Sequence, residues 1–131
     1  IAEYFLVEEM ISDGVAELIL GVSVDPQFGP TLTLGAGGIY SELLKDSFAL
    51  LFPVLETEVR QTIEKMRINA LLKGWRGKPK GDTEALVEAV LDLAHFVECY
   101  ADRLVGCDIN PLIVRPRGKG VVAVDVLINL K

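Results

Sequence analysis

Three side chains near the carboxyl end of the chain carry oxygen atoms that could hold a divalent cation. Asp108 and Asn110 lie in one apolar run, and Asp125 interrupts the next. A turn rich in Pro and Gly at 115–120 separates the two runs and predicts a β-hairpin. In a hairpin centred between residues 117 and 118, Asn110 faces Asp125, and strand alternation turns Asp108 to the same face. Two carboxylates and one amide oxygen are a donor set that suits Mg²⁺.

The same spacing also fits a hairpin whose polar residues face solvent at the edge of a sheet. Asp125 favours the metal site, because its neighbours from 121 to 128 are apolar and a buried carboxylate needs a partner. Spacing by itself leaves both interpretations open.

The first part of the chain predicts strands. Apolar runs at 4–10, 16–24 and 31–34 are divided by turn-forming residues, which is typical of an antiparallel meander. We expect part of 39–51 to be extended as well.

After Pro53 the apolar spacing becomes helical. Leu55, Val59, Ile63 and Met66 fall on one face and predict a helix. A short helical segment at 68–72 follows and ends at Gly74. Asp82 is expected to cap a long helix that runs to about Ala101, with Glu84 in its first turn.

The order of strands, helices and strands predicts an α+β fold, an antiparallel sheet with helices on one face. At 131 residues the chain is long enough for one core, so we expect a single subdomain over residues 1–131. The sequence begins directly with a strand-like run and no initiator Met, which predicts a piece of a longer polypeptide.

Composition excludes several classes of partner. The net charge is −6, with 19 acidic and 13 basic residues, so a nucleic-acid partner is not expected. No apolar run approaches the roughly 20 residues of a membrane helix, and no signal peptide is visible, so no membrane partner is expected either. Cys99 and Cys107 lack metal-binding spacing and predict buried free thiols in the cytoplasm.

Other candidate sites are weaker. Gly35 to Gly38 could form a tight turn or a phosphate nest, and Glu42 could be a surface carboxylate or a catalytic acid. The basic cluster Lys73 to Lys80 is an exposed polar loop or a contact for a nucleotide or coenzyme phosphate. The strand edge at 7–10 could hold a purine ring. His95 lies mid-helix among apolar residues, where a structural role is expected.

Five motifs occur in a fixed order: VEEM at 7–10, ELILGVSVDPQFGP at 17–30, LGAGGIY at 34–40, LKGWRG at 72–77 and DINPLIV at 108–114. Together they resemble the ATP-grasp region of nucleoside-diphosphate-forming acyl-CoA synthetases, relatives of the succinyl-CoA synthetase β chain. The resemblance spans nearly the whole chain and corresponds to the carboxyl-side subdomain of the ATP-grasp fold.

This resemblance implies an activity. The family interconverts acyl-CoA, ADP and phosphate with free acid, CoA and ATP. A histidine on a separate domain is phosphorylated and swings to the ATP-grasp site, where ADP takes the phosphoryl group. ATP or ADP and Mg²⁺ are therefore the expected cofactors, and the chain itself is expected to supply no phosphorylated histidine.

The resemblance also implies roles for particular positions. Asn110 and Asp125 match the Mg²⁺ ligands, and Asp108 stands where the family often has Glu. The hinge that holds adenine and ribose is matched by Glu8, Glu9 and Met10. A phosphate-side surface on which the histidine docks is matched by Glu17, Gly35, Gly37 and Gly38.

The amino-side half of the clamp and the CoA-binding and phosphohistidine domains are not in this sequence. The resemblance implies them as partners, in the same polypeptide or another subunit, with CoA and the carboxylic acid bound there. Three alternatives stay open: a carboxylate ligase that forms an acyl phosphate directly, a nucleotide-sensing domain fused to an acyltransferase, and a purely structural interaction module.

Overall fold

A computed structural model describes residues 3–38 and 45–131 of the protein. Its elements follow the expected order of strands, helices and strands. They are β1 (Ala16–Asp25), β2 (Gly29–Ala36), β3 (Ser47–Leu51), α1 (Glu56–Lys65), α2 (Asn69–Leu72), α3 (Thr83–Tyr100), β4 (Leu104–Val114), β5 (Val121–Ala123) and β6 (Val126–Leu130). The predicted α+β class is confirmed.

The strands form one six-stranded antiparallel sheet in the order β3-β2-β1-β4-β5, and β6 also pairs with β4. β1 and β4 are therefore interior strands. β4 is long enough to pair with β5 along its second half and with β6 along its first half. The sequence motif that carries Asp108 and Asn110 thus lies within the sheet and not at its edge.

Within residues 3–38 and 45–131, the helices cover one face of the sheet. In β1, Leu18, Leu20 and Val22 are buried with the apolar faces of the helices, while Glu17 and Ser23 on the other face are exposed. This alternation is what a half-buried antiparallel sheet requires. The uncovered face is available to a ligand or to another part of a larger protein.

The predicted helix cap at Asp82 is confirmed, and a buried carboxylate that was not singled out from the sequence holds the segment before α2. Asp82 accepts a hydrogen bond from the Ala85 N–H at 3.1 Å and begins α3. Buried Asp46 accepts the N–H groups of Arg67 and Ile68 at 3.0 and 2.9 Å, just before α2. Among the described residues, no helix is both long and apolar enough to cross a membrane.

The prediction of a strand at 4–10 is wrong. These residues have no strand assignment, and the side chains of Tyr4, Phe5, Leu6 and Val7 are 85–90% exposed. A strand needs a neighbour for its backbone hydrogen bonds, and no described strand lies beside this segment. Alternating apolar residues form a strand only where a neighbouring strand pairs with their backbone.

Two further expectations need correction. The run at 121–128 is two strands, β5 and β6, and the two residues between them, Val124 and Asp125, still bond to the backbone of β4. Cys107 is a buried free thiol as expected, but Cys99 is exposed and its Sγ lies 3.7 Å from His95 Nε2. The predictions that involve Ile39, Tyr40 and Glu42 fall outside the described residues.

Candidate functional site

The backbone of the hairpin brings Asn110 and Asp125 opposite each other. The Asn110 N–H donates to the Asp125 carbonyl at 2.9 Å, and the Val124 N–H donates to the Pro111 carbonyl at 3.0 Å. Pairing continues in the same register on both sides, with Leu112 opposite Ala123. The predicted register is therefore confirmed, and directly opposed residues in such a pair share a face.

Asp108 lies on the uncovered face of the sheet. It is opposite Leu127 on one side and Gly21 on the other. A Cβ atom added at Gly21 would lie 3.3 Å from Asp108 Oδ1, so the glycine leaves room for this carboxylate. Gly21 was not singled out from the sequence, although an isolated glycine in a strand pattern indicates a close approach of this kind.

Asp108, Asn110 and Asp125 are all exposed. Asp125 is exposed because β5 and β6 lie at the margin of the sheet, so burial gives no argument for a metal partner. The described residues contain no group of three or more His, Cys, Asp or Glu side chains arranged for a metal ion. Two carboxylates and an amide could still hold Mg²⁺, which commonly takes one or two carboxylates and completes its shell with water and phosphate oxygens.

A second group of predicted residues meets at the start of β1. The Gly37 N–H donates to the Glu17 carbonyl at 2.8 Å. Gly38 has a φ of +64°, and a Cβ atom added there would lie 2.5 Å from Glu17 Oε2. The positive φ favours glycine at residue 38, and a side chain there would require the exposed Glu17 carboxylate to move. These residues line a cleft of about 430 Å³ together with Ser12 and Ile113.

Gly35 is placed differently from the two glycines that follow it. It is a buried residue of β2, paired with Ile19 of β1 and Ser47 of β3. It lines a smaller cleft of about 270 Å³ with Lys45 on its wall. Of the glycines predicted to form a phosphate-side loop, only Gly37 and Gly38 lie after the strand.

The predicted hinge residues Glu8, Glu9 and Met10 are exposed and have no regular structure. Just after them, Asp13 and Arg115 form a two-pronged ion pair. Arg115 Nε and Nη2 each donate to a separate Asp13 oxygen at 2.9 Å. The hydrogen bond to Arg115 lowers the pKa of Asp13.

The pKa of Arg115 is raised by the bond to Asp13 and, less strongly, by the negative charge of Glu9. The predicted hinge segment is thus linked to the end of β4. Sequence patterns could not find this pair, because its members are 102 residues apart and no local periodicity connects them.

The basic cluster Lys73 to Lys80 is an exposed loop with an ordered core. Arg76 has a φ of +50°, and its guanidinium carbon lies 5.5 Å from the centroid of the Trp75 ring, within the range of a cation–π contact. Trp75 is 51% exposed and lines a cleft of about 360 Å³ with Lys78. Lys73 and Lys80 line a separate cleft of about 550 Å³.

The described residues form one antiparallel sheet that packs an apolar face against the helices and leaves Asp108, Asn110 and Asp125 exposed. A model of the ATP-grasp domain matches residues 1–130. The chain therefore belongs to the ATP-grasp domain family.

Curated relatives agree with the resemblance to ADP-forming acyl-CoA synthetases. Over 132 residues the chain is 38% identical to the subunit beta of ADP-forming acetate–CoA ligase II from Pyrococcus furiosus, covering 99% of this chain and 56% of the relative. It is also 38% identical over 125 residues to the ADP-forming 4-hydroxybutyrate–CoA ligase of Nitrosopumilus maritimus, covering 95% of this chain and 18% of that protein.

Solved structures show the same fold. The crystal structure of PH1788 from Pyrococcus horikoshii superposes with a TM-score of 0.83 at 36% identity, covering 93% of this chain and 51% of that one. Acetyl-coenzyme A synthetase 1 of Ca. Korarchaeum cryptofilum, solved with coenzyme A and Mg-AMPPCP, gives a TM-score of 0.77 at 34% identity, covering 88% and 53%. The chain thus spans about half the length of these two solved chains and of the Pyrococcus furiosus subunit, and about a fifth of the Nitrosopumilus maritimus ligase.

Proposed function

We propose that this chain is the carboxyl-side half of the ATP-grasp clamp of an ADP-forming acid–CoA ligase. The phosphoryl group would pass between ATP or ADP and a phosphohistidine on another domain, during interconversion of acyl-CoA and free acid. One observation carries the proposal: the sheet places Asn110 opposite Asp125, with Asp108 beside them over Gly21, on the face that no helix covers.

Asn110 and Asp125 are the proposed Mg²⁺ ligands. Asp108 is the third candidate, although its shorter side chain reaches less far than the Glu often found at this position in the family. A bound Mg²⁺ supplies positive charge that stabilises the transferring phosphoryl group. The protein side chains contribute orientation, because they come from strands whose register fixes their separation.

The remaining predicted residues would hold the rest of the nucleotide and the incoming histidine. Glu8, Glu9 and Met10 are proposed to contact the base and the ribose, largely through backbone groups. Glu17, Gly37 and Gly38 form the surface proposed to receive the phosphohistidine, and Gly35 supports that loop from within β2. The Gly37 N–H already bonds to Glu17, so the loop would bind with its shape preset.

The proposed partners are the amino-side half of the clamp and the CoA-binding and phosphohistidine domains. They would belong to the same polypeptide or to a second subunit, and CoA and the carboxylic acid would bind there. The similarity to subunits and longer chains of ADP-forming ligases supports this arrangement. A cytoplasmic location stays a prediction.

The experiment uses the full-length protein with its partner domains. ADP and Mg²⁺ are titrated in a phosphoryl-transfer assay for the natural protein and for Asp125→Ala. We expect the Mg²⁺ requirement to rise by at least 10- to 100-fold, the range found when even the outer partners of metal ligands are removed. Asp92→Ala is the matched control, because Asp92 is an exposed carboxylate on α3.

Unchanged Mg²⁺ and nucleotide dependence in Asp125→Ala would contradict the proposed site. Phosphate labelling separates the reaction types. An acid-labile phosphohistidine in the full-length protein supports the proposed reaction, whereas an acyl phosphate formed without a phosphorylated protein identifies a carboxylate ligase. Binding without transfer identifies a sensing domain.

A further inference from the structure

The ion pair between Asp13 and Arg115 is the first fixed point after the predicted hinge. From Glu3 to Ser12 the structure shows no hydrogen bond or ion pair with any other described residue. At Asp13 the situation changes, with two contacts of 2.9 Å to Arg115. Two residues later the Val15 N–H donates to the Val114 carbonyl at 2.7 Å. The segment is thus attached to β4 from residue 13 onward.

The other member of the pair follows the strand that carries the proposed metal ligands. β4 ends at Val114, and Arg115 is the next residue. Arg115 is fixed in turn, because its N–H donates to the Gly120 carbonyl at 3.0 Å across the turn. A planar guanidinium that bonds both oxygens of one carboxylate defines direction as well as distance.

The tether restricts where the hinge can lie. Three residues separate Asp13 from Met10, and an extended chain spans at most about 3.3–3.6 Å per residue. The Cα atom of Met10 therefore lies within roughly 10–11 Å of the Cα atom of Asp13. Glu9 lies near enough to Arg115 for its charge to act on the guanidinium. Both members of the pair are about 30% exposed at the side chain, so the contact is partly shielded from water.

We propose that Asp13 and Arg115 are positioning residues that lock the base-binding hinge to the metal-binding strand. The inference rests on the proposed function, in which the hinge holds adenine and ribose and β4 holds Mg²⁺. One nucleotide must then contact the hinge with its base and the β4 metal with its phosphates, and the ion pair sets the distance between these two segments. Neither side chain needs to touch the nucleotide.

This role predicts a particular kinetic pattern. Loosening the hinge weakens binding of the nucleotide but leaves Asn110 and Asp125 in place for phosphoryl transfer. We expect the KM for ADP to rise about two- to fivefold in Asp13→Asn, the range expected for losing one partly exposed ion pair. The kcat should change little, and the Mg²⁺ dependence at saturating ADP should stay the same.

The test is a double-mutant cycle in the full-length protein with Asp13→Asn, Arg115→Lys and both changes together. Arg115→Lys keeps the charge but loses the two-pronged geometry, so it is the milder variant where folding is a concern. If the pair acts as a unit, the double variant has the same KM as the worse single variant. Calorimetric titration with Mg·ADP gives the same comparison without turnover.

Arg60→Ala is the matched control, since Arg60 also donates to carboxylates at 2.8 Å but lies on α1, away from hinge and β4. It should leave the KM unchanged. An unchanged KM and Kd in both single variants, or additive effects in the double variant, would overturn the inference. If the natural protein binds Mg·ADP but transfers no phosphate, only the proposed reaction fails. The double-mutant cycle measured in the Kd for Mg·ADP then still tests whether Asp13 and Arg115 position the hinge. Failure of the natural protein to bind Mg·ADP would overturn both.

Discussion

Asp82 is the side chain whose removal should destabilise the hairpin most clearly. Its carboxylate accepts the N–H of Ala85 at 3.1 Å, which caps α3, and the N–H groups of Gly118 and Gly120 at 3.1 and 2.8 Å. One carboxylate thus joins the start of a helix to the turn between β4 and β5. The residue is only 9% exposed, so water replaces these bonds poorly.

The expected loss of unfolding free energy in Asp82→Ala is the sum of the contributions of one helix cap and two hydrogen bonds to the turn. Removing a capping side chain costs about 1 kcal/mol. Each of the two glycine N–H groups loses a net hydrogen bond of about 0.5–1 kcal/mol, the lower range because Gly118 is exposed and can be rehydrated. We therefore expect the free energy of unfolding to fall by about 2–3 kcal/mol.

Urea unfolding of the chain at neutral pH measures this loss as a lower midpoint at an unchanged slope. Asp82→Asn separates the two contributions: its amide oxygen can still accept from Ala85 and cap α3, but its NH2 group cannot accept from Gly118 and Gly120. This variant should therefore lose only the turn contacts, about 1–2 kcal/mol. A loss below about 0.5 kcal/mol in Asp82→Ala, within the range of an ordinary surface substitution, would refute this account of the turn.

The pH dependence of the unfolding free energy gives an independent check of the role of Asp82. Burial raises the pKa of Asp82, but its three backbone hydrogen bonds outweigh burial and leave the pKa below the ordinary value. A carboxyl group with a lowered folded-state pKa stabilises the protein above the unfolded-state pKa, near 3.9. The contribution is lost as the pH falls through the folded-state pKa. The difference between the natural protein and Asp82→Ala should therefore shrink below about pH 4.

Two shorter predictions concern the site and the cysteines. Gly21→Ala places a Cβ atom 3.3 Å from Asp108 Oδ1, so this carboxylate must shift by a few tenths of an ångström. Titration of the full-length protein with Mg²⁺ in the presence of ADP should therefore show weaker Mg²⁺ binding. An unchanged Mg²⁺ affinity would mean that Asp108 is not a ligand. Cys99 is exposed, whereas Cys107 is buried and burial raises the pKa of its thiol. A thiol reagent should therefore modify Cys99 before Cys107, which mass spectrometry can follow. Equal rates of modification would contradict the packing around Cys107.

Local signals in the sequence predicted the elements that depend on local chemistry. Asp82 is a helix cap because its own side chain bonds a residue three positions on. The register between β4 and its partners follows from the turn at 115–120, where Gly118 and Gly120 have φ values of +86° and +85°. Such a turn sets which residues face each other, so Asn110 and Asp125 could be paired from the sequence.

Features that depend on distant parts of the chain could not be predicted in this way. Residues 4–10 have the alternation of a strand, yet no described strand pairs with them. The exposure of Cys99 depends on which face of α3 the sheet covers. The Asp13–Arg115 pair joins residues 102 positions apart. In each case the deciding partner is far away in the sequence, and no periodicity specifies it.

The irregularity of the sheet favours a site over a plain solvent-facing hairpin. Between β1 and β4 the register shifts by one residue, so that Ile19 faces the stretch from Asn110 to Pro111. On the other side, β5 ends and β6 begins around Asp125. Pro111 has no N–H to contribute to a ladder.

At the level of the proposed ligands the register therefore shifts against β1, whereas on the other side the backbone bonds of Asn110 with Asp125 and of Val124 with Pro111 remain. A bulge disrupts the hydrogen-bond ladder locally, and bulges are common next to active sites, where they re-aim side chains. Exposure cannot separate the two interpretations, because a solvated edge and an open metal site both leave these oxygens accessible. The one-residue shift against β1 supports the proposed site, because a hairpin whose polar residues only face solvent needs no such irregularity beside an interior strand.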